Sequence, residues 1–243
     1  MKKLIEKYND LLSAKYDEAT RGEFKWLAPY ITEKHIKPYV KAGIDVLDIG
    51  VGTGQTSKIF IDQKINVTGI DISEKMLAIA KSKFKFKKLV KYDIEQGLLN
   101  LFSQEKFDII VAVGIFEFID NIKNALNEMK QLLKEDVVLA FSYEVYEPNN
   151  KYGIKKVAPL GAGSENVLKL LNFKVYRRLP NKINNILKNL SLKMVSREKF
   201  TGYLRTQLKI PVPYELLVVK LIHPRGVQSL EFTKRSNAKR IPT

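Results

Sequence analysis

Between residues 45 and 142 short continuous apolar runs alternate with segments of helical period, and few folds satisfy that alternation. Asp45-Val46-Leu47-Asp48-Ile49, Asn66 to Ile70, Phe86 to Val90, Asp108 to Val113 and Val137 to Phe141 read as strands. Most are apolar on both faces, as strands covered on both sides must be. Ile122, Leu126, Met129 and Leu133 fall at i, i+4, i+7 and i+11, a single helical stripe with Asp120 or Asn121 as its N-cap. Ser73 caps another helix, which carries Met76, Leu77 and Ala80. Strands and helices in rotation require right-handed crossovers, so the pattern predicts a doubly wound α/β fold with helices on both faces of a mostly parallel sheet. Leu192 to Phe200 and Tyr214 to Ile222 bring the strand count to seven and predict a closing pair with the last strand antiparallel.

The flanks divide the chain into four parts. Residues 1–44 predict a helical N-terminal cover, with a stripe at Leu4, Tyr8, Leu11 and Leu12 and a second helix opening near Ala28, Pro29 at its first position and Pro38 ending or kinking it. Residues 45–142 form the core. Residues 143–222 predict a lid insertion, a last helix over about Asn181 to Leu190, and the closing strand pair; 144–180 has no clear period and contains Pro148, Gly153, Pro159, Gly161, Gly163 and Pro180. Residues 223–243 read as a basic, loose tail.

Composition removes several chemistries. Cysteine is absent and histidine occurs only at His35 and His223, which excludes disulfides, thiolate nucleophiles and cysteine-based or three-histidine metal centres, so no metal is expected. No apolar run approaches the roughly 20 residues of a membrane span, and the acidic Glu6 and Asp10 break up the segment after basic Met1-Lys2-Lys3, so a cytoplasmic protein is expected. The net charge is +16, and residues 143–243, with 20 basic against 6 acidic side chains, carry +14 of it. That field suits an anionic partner, nucleic acid among them, or reflects a solvated lysine-rich face; the sequence allows both readings.

Directly after the first strand comes Gly50-Val51-Gly52-Thr53-Gly54-Gln55, a turn in which glycines let the backbone bend tightly and a ligand approach closely. Seventeen residues beyond Gly54, at the end of the second strand, Asp71 is placed to accept from two ribose hydroxyls. A dinucleotide fingerprint would need its third glycine where Gln55 stands. Asp48, a carboxylate near the turn, suits a ligand that carries an ammonium group rather than a pyrophosphate.

With these residues in place, 45–142 resembles the class I S-adenosylmethionine-dependent methyltransferases, of the small-molecule type, and with them a Rossmann-like methyltransferase fold. Val46-Leu47-Asp48-Ile49-Gly50-Val51-Gly52-Thr53-Gly54 is similar to the first motif of that family, Gly69-Ile70-Asp71-Ile72-Ser73-Glu74-Lys75-Met76-Leu77 to the second, Tyr92-Asp93-Ile94 to the third, and Phe107 through Ile119 to the fourth strand and its loop. The resemblance implies S-adenosylmethionine as cofactor, S-adenosylhomocysteine as product, and Asp48, Gly50, Gly52, Gly54, Asp71, Ile72, Met76, Asp93, Ile94 and Val113 as cofactor-binding residues. Where many relatives carry a Glu-His pair this chain has Glu117-Phe118, so no histidine base transfers.

Methyl transfer needs alignment more than acid or base, since proximity alone supplies roughly 7 to 11 kcal/mol. Should a proton have to leave, Glu117, Tyr143, Glu144 and Tyr16 are candidates. Arg177 and Arg178 could clamp a carboxylate or phosphate on the acceptor, and Tyr143, Tyr146, Tyr152 and Phe173 could stack on it. The expected function is methylation of a small molecule, an anionic one included. RNA or protein methylation through the basic third, or cofactor binding without catalysis, are the alternatives, and nothing in the sequence fixes the oligomeric state.

Overall fold

The computed structural model describes residues 2–21, 26–152, 155–159, 174–205 and 210–222. Two N-terminal helices, α1 (Lys2–Arg21) and α2 (Ala28–Ile36), precede β1 (Asp45–Ile49), α3 (Lys58–Ile61), β2 (Asn66–Asp71), α4 (Glu74–Lys83), β3 (Lys88–Lys91), α5 (Leu98–Phe102), β4 (Phe107–Ala112), α6 (Ile122–Leu132) and β5 (Leu133–Glu144). Then come β6 (Val157–Pro159), β7 (Lys174–Tyr176), α7 (Pro180–Asn189), β8 (Leu192–Arg205) and β9 (Ile210–Leu221).

Seven strands pair in the order β3-β2-β1-β4-β5-β9-β8. β1 to β5 run parallel, and β9 is antiparallel to both β5 and β8. This is the doubly wound sheet that the alternation predicts. The order reverses between β1 and β4, which opens a crevice at their carboxyl ends where such sheets hold ligands.

Strand alternation sorts the core into two layers. Leu47, Ile49, Ile110, Leu139, Phe141 and Leu217 face α5, α6 and α7, while Val46, Val67, Ile109, Val111, Ala140 and Val218 face α2 and α3. The same parity decides where polar residues of the strands go. Asp48 shares the face of Val46, Glu144 that of Ala140, and Tyr143 the opposite one.

Helix signals read from sequence hold with small shifts. Ser73 caps α4 by accepting from the Met76 amide, and Asn121 rather than Asp120 caps α6. Leu133, placed on the α6 stripe by its spacing, is instead the first residue of β5. α2 has Pro29 in its first turn and gives way to a 3-10 turn at Lys37–Tyr39. In α1, Leu4, Ile5 and Tyr8 pack on Val175 and Phe118, whereas Leu11 is exposed. The stretch without period contains a two-stranded sheet, β6 with β7. His35 pairs with Glu198 at 2.6 Å. Gly161, Gly163, Phe173, His223 and the basic tail lie outside the described residues. Among those described, no helix is long and apolar enough to cross a membrane, and no group of three or more His, Asp or Glu could hold a metal.

Candidate functional site

Where the strand order reverses, a cavity opens at the carboxyl ends of β1, β2, β3 and β4, with about 820 Å³ of atom-free space including its mouth, within the range of ligand clefts. Its floor and walls come from Ile49 to Gly52, Ile70 to Ile72, Tyr92 to Glu95 and Val113 to Ile115; Ile5, Asn9 and Tyr16 of α1 roof it.

The turn after β1 holds its shape because Gly50 has φ +73° and a Cβ there would stand 1.9 Å from Ile115 Cγ2. Only glycine allows the β4 loop to close on the β1 loop in this way. The Gly52 amide donates to Asp71 Oδ2 at 2.9 Å and the Ser73 amide to Asp71 Oδ1 at 2.8 Å. Two backbone donors thus orient a buried carboxylate at the end of β2. Burial pushes its pKa up to about 6, against the pull of the amides, so it is largely ionised at neutral pH. With lone pairs to spare on each oxygen, it can accept from a vicinal diol. At the end of β3, Asp93 accepts from the Glu95 amide at 2.9 Å, capping a 3-10 turn at the cavity wall.

Of the ten residues expected to bind the cofactor, eight line this cavity: Gly50, Gly52, Asp71, Ile72, Met76, Asp93, Ile94 and Val113. Asp48 and Gly54 do not. Strand parity turns Asp48 to the α3 side, where its Oδ2 accepts from Ser57 Oγ at 2.6 Å, and burial pushes its pKa up to about 7. It braces the turn from behind instead of reaching a ligand's ammonium. Gly54, at φ +84°, makes room for Phe84, whose ring would lie 2.9 Å from a Cβ.

The acceptor-side expectations need more correction. Arg177 and Arg178 do not project into the cavity. Arg177 is buried, with Nε 2.7 Å from Glu144 Oε2 and Nη1 donating to the Lys155 carbonyl. Arg178 donates to the carbonyls of Phe116, Ile119, Asp120 and Tyr176 and so fixes the loop after β4. Buried guanidiniums that do not line the cavity cannot clamp an anion there. Tyr143 faces the α7 side and donates to Glu215. Tyr146 is held by its amide on the Arg178 carbonyl, outside the cavity. Tyr152 is 42% exposed with Lys151 over its ring. Tyr16 lines the cavity, its hydroxyl raised above the phenolic range by burial and then by Glu117. Glu117 and Glu144 are buried beside it, around Tyr214.

Sequence reasoning missed how α1 is fastened as a roof. Asp17 Oδ1 accepts from Thr53 Oγ1 at 2.6 Å and from Gln55 Nε2 at 2.9 Å, and Asp17 Oδ2 pairs with Lys83 at 2.5 Å. Asp10 accepts from Ser73 Oγ at 2.5 Å, and Glu6 pairs with Lys91 at 2.6 Å. All three acids fall on one helical face, a pattern visible in sequence once α1 is known to cover the cavity. No Lys or Arg lines the cavity among the described residues; its charged groups are Asp71, Asp93 and Glu95.

Comparison with known proteins places this geometry. Residues 47–141 match the family of methyltransferase domains. The malonyl-acyl-carrier-protein O-methyltransferase of Acetivibrio thermocellus is 33% identical over 106 residues, 42% of this chain and 36% of that protein. The chain spans roughly a third to a half of the length of these curated relatives, 36% to 52% for the malonyl-acyl-carrier-protein O-methyltransferases. Among solved structures, an S-adenosylmethionine-dependent methyltransferase of Clostridium acetobutylicum superposes with a TM-score of 0.61 at 19% identity, over 89% of this chain and 99% of that one. The magnesium protoporphyrin IX methyltransferase of Synechocystis PCC 6803, solved with bound S-adenosylhomocysteine, gives 0.63 at 16%, over 91% and 99%. The fold is the Rossmann-like methyltransferase fold.

Proposed function

We propose that this chain, whose residues 47–141 match the methyltransferase domain family, transfers the methyl group of S-adenosylmethionine to a small-molecule acceptor. The observation that carries the reading is the oriented Asp71 carboxylate at the sheet's reversal point, opposite a glycine turn and under a helical roof. Each part fits a nucleoside joined to an amino acid: Asp71 would accept from the ribose diol, Asp93 and the Ile94 amide would meet the adenine edge, and the Gly50 to Gly52 turn gives the tail close backbone approach.

Bound there, the donor supplies a methyl group on positively charged sulfur, already activated for displacement. The protein's own part is to align and to exclude water. Ile49, Ile70, Val113, Ile115 and Phe118 give an apolar wall, and α1, fastened by Glu6, Asp10 and Asp17, closes the top. A roofed cavity favours a diffusible acceptor over a nucleic-acid strand. The absence of any cationic side chain from the described wall suits a positively charged donor and speaks against an anionic acceptor.

Calorimetric titration with S-adenosylmethionine tests the reading. Wild-type protein should bind it, and Asp71→Ala should lose about 1.5 to 3 kcal/mol of binding free energy with the loss of a charge-assisted contact. Equal affinity in the two proteins would remove Asp71 from the site.

A further inference from the structure

Beside the cavity, on the α2 face of the sheet, lies a group of buried acids and phenols that alignment alone does not use. The Tyr214 hydroxyl stands between Glu117 Oε1 at 2.9 Å and Glu144 Oε1 at 3.1 Å. One phenol has one proton and serves one carboxylate at a time. Glu144 has other support: Tyr203 donates to its Oε1 at 2.8 Å and Arg177 Nε lies 2.7 Å from its Oε2. Glu117 does not. Only 6% exposed, it has no hydrogen-bond partner for Oε2 among the described residues, and the hydrogen bonds of Arg178 go to backbone carbonyls. Native proteins rarely leave a buried acceptor unmet.

The surroundings say what would meet it. A Cβ on Gly114, a cavity-wall residue, would stand 3.9 Å from Glu117 Oε1 and 3.0 Å from Trp26 Cζ2. Trp26 packs edge-on against Tyr214, centroids 5.2 Å apart, and Tyr203 lies 6.1 Å from Tyr214. Aromatic rings about an unpartnered carboxyl form a cation's environment, not an anion's.

We propose that Glu117 is a catalytic base and that the acceptor is a small-molecule amine, whose ammonium donates to Glu117 Oε2 beside Trp26 and Tyr16. This rests on the methyl-transfer reading above. Glu117 takes one proton from the ammonium, and the freed lone pair forms the new nitrogen–carbon bond as the carbon–sulfur bond breaks, its electrons staying on sulfur. The methylated amine leaves as its ammonium, and Glu117 gives its proton to solvent. The groups that face Glu117 are Tyr8 and Tyr16 of α1, Glu144 of β5, Tyr203 of β8, Tyr214 of β9, and Arg178 after β7. Burial, then the charge of Glu144, raise the Glu117 carboxyl above its ordinary range, so amine binding should strengthen as pH rises and Glu117 ionises.

Trp26 is the only tryptophan in the chain, so its emission reports on this compartment. Wild-type and Glu117→Gln proteins, each saturated with S-adenosylhomocysteine, are titrated with phenethylamine and cyclohexylmethylamine, and with the shape-matched hydrocinnamate and cyclohexanecarboxylate. The amines should change the emission saturably and the carboxylates should not. Glu117→Gln should weaken amine binding by about tenfold to a hundredfold while keeping its affinity for S-adenosylhomocysteine. Carboxylates binding as well as amines, no amine binding, or amine affinity unchanged in the variant would each overturn the proposal. Failure of folded wild-type protein to bind S-adenosylhomocysteine would instead sink the methyl-transfer reading. Should Glu117→Gln not fold, the wild-type comparison of amines with carboxylates still decides.

Discussion

Asp48 offers a prediction whose size can be worked out. Its carboxyl is 1% exposed, its hydrogen bond comes from the neutral Ser57 hydroxyl, and the nearby charge of Asp71 adds to the cost of ionising it. Burial dominates, and the pKa rises from 3.8 to about 7. A carboxyl whose pKa is raised by folding contributes stability that is complete below its unfolded pKa and lost as pH climbs to the folded one, because over that window the folded state binds the extra proton. At about 1.4 kcal/mol per unit, a shift of roughly three units is worth about 4 kcal/mol. Asp48→Asn keeps the shape and an acceptor for Ser57 but removes the titration. Urea unfolding from pH 5 to pH 8 should therefore show the variant gaining on wild type by about 2.5 kcal/mol, with most of the gain in place by pH 7. A difference constant to within about 0.5 kcal/mol across that range would mean that Asp48 is already ionised in the fold at pH 5, and the account of a carboxyl whose pKa is raised by burial behind the glycine turn would be wrong.

Two further substitutions test the cavity's frame. Gly50→Ala forces a Cβ onto Ile115 at φ +73° and should cost more than about 2 kcal/mol, read as a lower melting temperature and weaker cofactor binding; adding Ile115→Ala should recover the steric share but not the backbone strain. Full stability in Gly50→Ala alone would refute the packing argument. Asp17→Ala removes the acceptor for Thr53, Gln55 and Lys83 and should cost about 1 kcal/mol, since the ion pair is partly in solvent. Hydrogen exchange in α1 should speed up with little change in the sheet, and unaltered exchange would show that the roof is held by something else.

The sheet was legible because its chemistry is local. Val46-Leu47 and Ile109-Ile110-Val111 are apolar on both faces, a pattern that covered parallel strands demand, and the glycine turn and Asp71 lie where strand ends put them. Tyr143 and Glu144 show where locality fails. As neighbours on β5 they face opposite layers, and no feature of the sequence says what each layer offers; the structure gives Tyr143 to Glu215 and Glu144 to Arg177. Arg177 and Arg178 were misread for a related reason. A basic pair before a proline reads as a clamp for an anionic acceptor until Glu144 and the carbonyls of Phe116, Ile119 and Asp120, remote in sequence, are seen to enclose it. The roof contacts are equally nonlocal, since Asp10 and Asp17 find partners at Ser73, Thr53, Gln55 and Lys83.

The charge distribution takes on a different meaning in three dimensions. A chain of net charge +16 invites an anionic partner, yet the charged groups that line the cavity are Asp71, Asp93 and Glu95, while Arg177 and Arg178 are buried on internal acceptors. Charge in a low-dielectric enclosure acts on what enters, whereas lysines on the periphery are screened within about 10 Å at ordinary ionic strength. Local field and net charge therefore favour opposite ligands, and on the proposed reading the acids at the cavity decide. Selection by the acids also explains why burying both arginines is tolerable. Their positive charge is needed inside to hold Glu144 and the β4 loop in place, which leaves Glu117 Oε2 as the atom that the proposed ammonium would meet.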